Sequence, residues 1–327
     1  MGSIAYSDFP IILEVGNKKM KARPVCDIVI VNWNSGSDLQ NCVDALAKSV
    51  QSSFEFGKIA IVDNASDDGS ADIKVPQQLS CVIHKNDQNA GFAVGCNTGA
   101  KYCQESHLLF LNPDVTVSED SIDRLFYWLS QNPAHASSIC SIALKDENGN
   151  ISCTCSRFPA LITVFSKVFG LEKLLSKFGW SQPMWDFDHK STRSVDQVIG
   201  AFFLVSRELF DRLDGFSENY FLYYEEVDFC LRASEAGSHC LFFSEAISKH
   251  SGGGASKKIP IRRLALNLQS RLIYYKTHFS TSKYFSALML TIFIEPFTRF
   301  IFALMSGKIQ TAANSLSAYL LLFHQNR

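Results

Sequence analysis

The run YFLYYEEVDFC, residues 220–230, places Glu225, Glu226 and Asp228 directly after a cluster of aromatic side chains. Carboxylates set among rings are costly to bury unless something partners them. The plainer account is a helix whose first turn is acidic because the helix dipole favours negative charge there. The chemical account is that rings stack on a sugar while a carboxylate takes the proton of a hydroxyl nucleophile. A second feature is LFLNPDV, residues 109–115, where an apolar strand ends on Asn112, Pro113 and Asp114. Asn-Pro-Asp is ordinary turn chemistry, yet the turn also presents Asp114 on a restricted loop. A hard oxygen ligand there suits a divalent metal bridging two phosphates, with its other ligands drawn from water and substrate. His250, in KHSGGGAS, is a second candidate metal ligand; alone it would read as a structural or surface histidine.

These groups need elements to position them. VCDIVIVN, residues 25–32, is nearly continuous in apolar and β-branched residues, as a strand buried on both faces of a parallel sheet is. Leu39, Cys42, Val43, Leu46, Ala47 and Val50 then fall at helical spacing. Further strands are predicted at Ile59–Val62, Val82–His84 and Leu108–Leu111, with a weak helical segment broken by Pro76 and a helix over Gly91–Gln104. This alternation predicts an open α/β sheet with right-handed crossovers, in which ligands bind beyond the carboxyl ends of the strands. Those ends are Asn32-Trp33-Asn34, Asp63-Asn64-Ala65-Ser66, Asn86 to Asn89 and Asn112-Pro113-Asp114. One polar strand end means little, but four in succession point to a site. NAGFAVGCNTG, residues 89–99, lacks the G-x-G-x-x-G spacing, and no phosphate-binding G-x-x-x-x-G-K-[ST] loop occurs, so nicotinamide and P-loop chemistry are not supported. Its small residues would let a helix start pass close to a ligand held by Asn89 or Asn97.

A net charge of −1 and a pI near 6.7 leave no basic field for nucleic acid. Ten cysteines without a CxxC pair predict reduced, buried thiols and a cytosolic chain, and MGSIAYSDFP lacks the pattern of a secretory signal. In the second half, Ile139–Leu144 and Ile151–Cys155 flank a turn at Asp146–Asn150, which predicts an antiparallel hairpin and hence a mixed sheet. Val195–Val205 reads as one long strand, and Glu226–Ala236 as a helix capped by Gly237. Near the end, Ile261, Leu264, Ala265, Leu268, Leu272 and Tyr275 make one helical face, with Arg262, Arg263 and Arg271 elsewhere on the surface. FSALMLTIFIEPFTRFIFALM follows, interrupted by Glu295, Pro296 and Arg299, so no unbroken run reaches the ~18 residues of a membrane span. The expectation is two short segments lying on a membrane, with Lys283, Arg299 and Lys308 near acidic head groups. The alternative is a helical packing element or a homodimer interface.

In order along the chain, VIVNWNSGSDLQNCVDAL, IVDNASDDGS, NAGFAVGCNTG, LLFLNPDV, Arg157-Phe158-Pro159, GAFFLVSRELFDRLDGFSENYFLYYEEVDFCLRASEAG and KHSGGGAS closely resemble glycosyltransferase family 2. The likeness is greatest to the rhamnosyltransferase-like branch that decorates bacterial cell-surface polysaccharides such as O-antigen and capsule. It implies a GT-A fold over residues 25–256: a Rossmann-like nucleotide-sugar half at 25–115, an acceptor half at 116–256 and a mixed central sheet. Residues 1–24 are then an N-terminal extension, and 257–327 lie beyond the likeness as the helical segment, either membrane-associated or a packing element. The resemblance further implies an inverting mechanism, a nucleotide-sugar donor and Mg2+ or Mn2+. Asp63 would contact the pyrimidine, with the backbone at Asn32 and the side chain of Asn89; Asn34, Asn64, Gly91, Phe92, Asn97 and Asn112 complete the donor side. Asp114 would be the last acid of the DxD-type motif, His250 the later metal ligand and Glu226 the catalytic base. Asn112 stands where the motif's first acid would be, so the metal would rest on Asp114, His250 and diphosphate. Glu226 replaces a more usual aspartate, one methylene shorter, so Glu225 and Asp228 stay candidates for the base. The expected reaction moves L-rhamnose from dTDP-rhamnose to a polyprenyl-diphosphate-linked or growing saccharide acceptor, at the cytoplasmic face of the inner membrane. Alternatives are a UDP-hexose or UDP-galactofuranose donor, or a non-catalytic sugar-nucleotide-binding subunit of an assembly complex.

Overall fold

Successive residues of a strand point to opposite faces, and strand β1, Val25–Asn32, has a packed layer on each. Cys26, Ile28 and Ile30 face helix α1, Asp38–Ala47, and Val29 and Val31 face helix α2, Phe92–Ala100. Strand β2, Glu55–Asp63, lies parallel to β1 on one side and β4, His107–Leu111, on the other; β3, Ser80–Lys85, lies parallel beyond β2. The register sets Asn32 beside Asp63 and Asp63 beside Lys85, so the carboxyl ends of these strands meet at one rim. The computed structural model describes residues 23–252 and 259–324. Residues 1–22 of the expected N-terminal extension and Gly253–Lys258, at the expected junction with the tail, therefore lie outside the described residues.

Beyond β4 the sheet becomes mixed, as predicted. It runs β3-β2-β1-β4-β10-β6-β11-β5, where β5 is Val115–Thr116, β6 Ile139–Lys145, β10 Phe202–Ser206 and β11 Cys240–His250; β8, Arg193–Val195, pairs with β11. β10 is antiparallel to β4, and β11 is parallel to β6. Helix α3, Ser121–Gln131, covers the α1 side; α6, Arg207–Arg212, and α7, Glu225–Glu235, cover the other. All ten cysteines are unpaired, and burial pushes the Cys103 and Cys140 thiols up to about 12.

Four expectations need correction. No helix separates β2 from β3, because Asp68, Ser66 and Ser70 use their side chains on nearby backbone and side-chain groups, which competes with helix formation. The hairpin closes only at its turn: Lys145 bridges Ile151, but Cys155–Ser156, β7, leaves to pair with Gln197–Val198, β9. The run Val195–Val205 is correspondingly broken, since Asp196 accepts from Phe158 N at 3.1 Å and Gln197 donates to Arg157 O at 2.8 Å. The apolar tail forms one continuous helix over Thr281–Met305, long and apolar enough to cross a membrane by length and composition. Pro296 does not break it, because the preceding turn, Leu290–Ile294, widens to π geometry and removes the clash a proline makes with an α-helical turn. Its parts are α9, Thr281–Met289, the π turn, and α10, Glu295–Met305; α8, Pro260–His278, and α11, Ile309–His324, flank it.

Candidate active site

The rim begins with a locked loop. Asn32 is fully buried, and its Nδ2 donates to Asp63 Oδ1 at 2.7 Å and to the hydroxyls of Ser66 and Ser70 at 3.1 and 3.0 Å. Asp63 also accepts from Ser66 N at 3.1 Å and from the Ser66 hydroxyl at 2.6 Å, so both carboxylate oxygens are engaged. Asn34 takes a left-handed φ of 50° and bonds the same loop through its backbone N and its Oδ1. Asn32, Asn34 and Asp63 thus brace the rim with their side chains. Asn97 is turned elsewhere: it bonds the backbone N and O of Phe216 and lines a different depression.

A cleft of about 430 Å³ opens beside that rim, a volume in the usual range for small-molecule sites. Asn64, Asn89, Gly91, Phe92, Asn112, Asp114, Glu225, Glu226 and His250 all line it, which brings nine of the predicted site residues together. Asn64 is fixed by donating to Gly91 O at 3.0 Å and accepting from Asn86 at 2.7 Å. Gly91 has φ of 92°, and a Cβ there would lie 2.5 Å from Phe221 O, so only glycine allows the loop to pass. That approach lets Phe92 N donate to Phe221 O at 2.7 Å, joining the start of α2 to the aromatic run.

On the β4 side, antiparallel pairing of β11 with β5 sets His250 opposite Val115. His250 Nε2 consequently lies 3.3 Å from Asp114 Oδ1, and Asn112 Oδ1 is buried without a partner. This set of two oxygens and one imidazole nitrogen fits a hard divalent ion that completes its shell with diphosphate and water. Among the described residues no group of three or more His, Cys, Asp and Glu side chains forms a self-sufficient metal cage.

Tyr223 and Tyr224 each take φ of 69°, a left-handed conformation unusual for residues of that size. This turn starts α7 so that Glu225 and Glu226 enter the cleft. Each has one buried carboxylate oxygen, Oε2, with no partner. Burial pushes both carboxyls up, and the charge of Glu226 pushes Glu225 further. Asp228 faces away: it accepts from Arg232 and His278 at 2.7 Å each and from Tyr220 at 3.4 Å. Burial opposes its charge, but His278 and Arg232 outweigh that and hold the carboxyl down. Of the rings expected to meet a sugar, Tyr220 and Tyr224 are core residues, whereas Phe221 and Tyr223 line the cleft.

Arg262 and Arg263, in the opening turns of α8, are exposed as expected and also line the cleft, whereas Arg271, expected on the surface with them, is fully buried. The helix dipole disfavours cations at that end. Two adjacent arginines after Pro260 were the signal that something other than helix stability placed them. Trp33 also lines the cleft.

The family model for Glycosyl transferase family 2 matches residues 27–213. The N-acetylglucosaminyl-diphospho-decaprenol L-rhamnosyltransferase of Mycobacterium tuberculosis is 24% identical over 267 residues, covering 76% of this chain and 83% of that one. The rhamnosyltransferase WbbL of Escherichia coli is 25% identical over 207 residues, covering 61% and 74%. Among solved structures, the mannosyltransferase PcManGT of Pyrobaculum calidifontis, in complex with GDP-Man and Mn2+, superposes with a TM-score of 0.55 at 12% identity, covering 93% of this chain and 88% of its own. That likeness is one of fold.

Proposed function

The chain belongs to glycosyltransferase family 2 and has the GT-A fold, and from that premise we propose that it is an inverting rhamnosyltransferase. The donor is dTDP-rhamnose, and the acceptor is a hydroxyl of a polyprenyl-diphosphate-linked or growing saccharide in cell-surface polysaccharide synthesis. Two relatives, one named as an N-acetylglucosaminyl-diphospho-decaprenol L-rhamnosyltransferase, support this choice. Free and mostly buried thiols fit a reducing cytoplasm.

The carrying observation is Glu226, a cleft-lining carboxylate with an unpartnered oxygen and a raised pKa, in the same cleft as the Asp114–His250 pair. Its carboxylate takes the acceptor's proton as the hydroxyl attacks the anomeric carbon and the bond from that carbon to the diphosphate oxygen breaks on the opposite face. A base whose pKa is raised toward the working pH is the stronger proton acceptor. Asp114, His250 and Asn112 Oδ1 would hold Mg2+ or Mn2+, which supplies positive charge to the departing diphosphate. Arg262 and Arg263 add two cations to the same cleft. Asn64, Asn89 and the glycine turn at Gly91 form the wall that receives the nucleoside.

The test is turnover of dTDP-rhamnose, UDP-hexoses and UDP-galactofuranose by the wild type, Glu226→Gln and Asp228→Asn. Glu226→Gln is expected to lower kcat by about 10²–10⁴-fold, the usual worth of a positioned base, with Asp228→Asn much less affected. Wild-type turnover in Glu226→Gln, or loss of chemistry confined to Asp228→Asn, would overturn the assignment. Turnover confined to a UDP-sugar would replace the donor.

A further inference from the structure

The continuous helix over 281–305 is inside out for a water-facing element. Its inward stripe is Ala287, Thr291, Glu295 and Ala303, while Phe285, Met289, Phe293, Phe297 and Leu304 are 46 to 68% exposed. A helix on a water-soluble surface buries its large apolar side chains and shows its polar ones. The i, i+4 spacing of the first four outward residues makes them one stripe rather than scattered singles.

The face continues onto another part of the chain. The Thr298 hydroxyl donates to Val168 O at 2.6 Å, and the Phe302 ring lies against Gly170. These contacts dock the helix on α4, Leu161–Val168, whose Phe165 is 40% exposed. Past Gly170, Leu174, Phe178 and Trp180 are exposed at 71, 70 and 43%.

Charge on these elements has one exposed sign. Lys173, Lys177, Lys283 and Lys308 are exposed. Glu295 is withdrawn into pairs with Arg271 and Arg299, and Glu172 has one carboxylate oxygen buried. Arg299 pairs inward with Glu295 while its side chain stays 35% exposed.

We propose that the outward stripe of the 281–305 helix and the Phe165–Trp180 segment form a single face that seats the enzyme in the plane of an anionic lipid bilayer. Large apolar side chains within a lysine fringe are the composition of an interfacial helix, and Trp180 suits the head-group level. Crossing the bilayer is disfavoured by the helix's own midpoint. Glu295 and Arg271 are 1% and 0% exposed in a pair with α8, which is itself held by Ser270 donating to Leu222 O at 2.8 Å. A spanning helix would leave α8 and strand that charge in hydrocarbon. A second copy is disfavoured because a two-fold interface meets itself, and here the fully exposed charges among the described residues of these elements are lysines. The inference deepens the proposed reaction on a lipid-linked acceptor and rests on it for the use of docking, but binding is measurable without turnover.

The experiment is flotation of the full chain with phosphatidylcholine vesicles, with and without roughly one third phosphatidylglycerol. The wild type is expected to float with the anionic vesicles, to bind less as salt rises, and to be released by alkaline carbonate. Phe297→Asp and, separately, Phe178→Asp are expected to weaken partitioning by about tenfold or more, and Lys173→Glu/Lys177→Glu to weaken it on anionic vesicles only. Each variant should retain turnover on a short, water-soluble acceptor, which separates failed docking from failed chemistry. A wild type that floats with neither vesicle overturns the proposal, as does full binding by Phe178→Asp. Retention through carbonate would replace it with a spanning helix. A lipid-free dimer that Phe297→Asp converts to monomer would replace it with a second copy.

Discussion

Removing Glu295 should damage the protein more than removing Arg271, although the two are each other's partner. Arg271 is 0% exposed and its Nε already lacks a partner; the carboxylate acting on it is Glu295, with the Tyr275 and Tyr224 phenols behind. Glu295→Gln therefore strands a guanidinium, and leaves Arg299 and the half-buried Lys167 on the same side of the charge balance. Burial, then Arg271, already press the Lys167 ammonium down to about 8, against the pull of Glu172 and Glu295. Breaking a buried pair in this way costs about 3–5 kcal/mol. Arg271→Met leaves Glu295 paired with Arg299 at 2.8 Å, so its cost belongs at or below the bottom of that range. Arg271→Met/Glu295→Leu removes both buried charges and should lie within about 1 kcal/mol of wild type. For 327 residues the unfolding entropy is about 0.7 kcal/mol/K. Glu295→Gln should then lower Tm by about 4–7 °C, with the double variant nearly restored. Differential scanning calorimetry at pH 7 reads all three. A Tm loss under about 2 °C for Glu295→Gln, or a larger loss for Arg271→Met, would refute the reasoning. Acid supplies an independent check. Burial opposes the charge of Glu295, yet Arg271 and Arg299 hold the carboxyl down to about 2. Its stabilisation is present above the ordinary glutamate value near 4.3 and is lost as pH falls from there through about 2.

Three further outcomes follow from the cleft. Gly91→Ala places a Cβ 2.5 Å from Phe221 O at φ of 92° and ψ of 170°; strain of about 1–3 kcal/mol plus about 1 kcal/mol for the disturbed Phe92–Phe221 hydrogen bond should lower Tm by about 3–6 °C and weaken nucleotide-sugar binding in calorimetry. Glu225 has its folded-state pKa raised, so its ionisation penalises folding only above the ordinary carboxylate range and increasingly as pH rises. Glu225→Gln should accordingly raise Tm at pH 8 and leave it unchanged at pH 4; an equal shift at both would remove the burial account. Asp114→Asn and His250→Ala should each raise the Mn2+ concentration for half-maximal turnover by at least about tenfold, and undiminished turnover in excess EDTA would eliminate the proposed metal role of both.

The sheet's first half was readable because both sides of β1, β2 and β4 are covered, so apolar runs carry through without polar alternation. What could not be read depends on partners remote in the chain. The hairpin after Asn150 looked local, but Cys155 pairs with Val198. Pro296 looked like a break, yet one π turn absorbs it. Motif position identified the acids near 225, but which of them enter the cleft depends on two left-handed tyrosines and on His278, fifty residues later in sequence. A residue type and a spacing cannot show that Asp63 spends both oxygens bracing its own loop.

Helix α8 explains why the tail and the cleft form one device. Its first turns carry Arg262 and Arg263 into the cleft, and Ser270 bonds the Leu222 carbonyl just before the strained tyrosines. One turn on, Tyr274 packs on Tyr224 with ring centroids 5.5 Å apart, and His278 bonds Asp228 at 2.7 Å. Arg271 on the same helix grips Glu295 of the apolar tail. Left-handed conformations at large residues persist only where surrounding contacts over-determine them, and here those contacts come from α8. The family model ends at residue 213, before both acids and before α8. The matched part of the chain therefore builds the polar rim at the strand ends, whereas the orientation of Glu226 is held by elements beyond it. Those same elements lead directly to the exposed aromatic face.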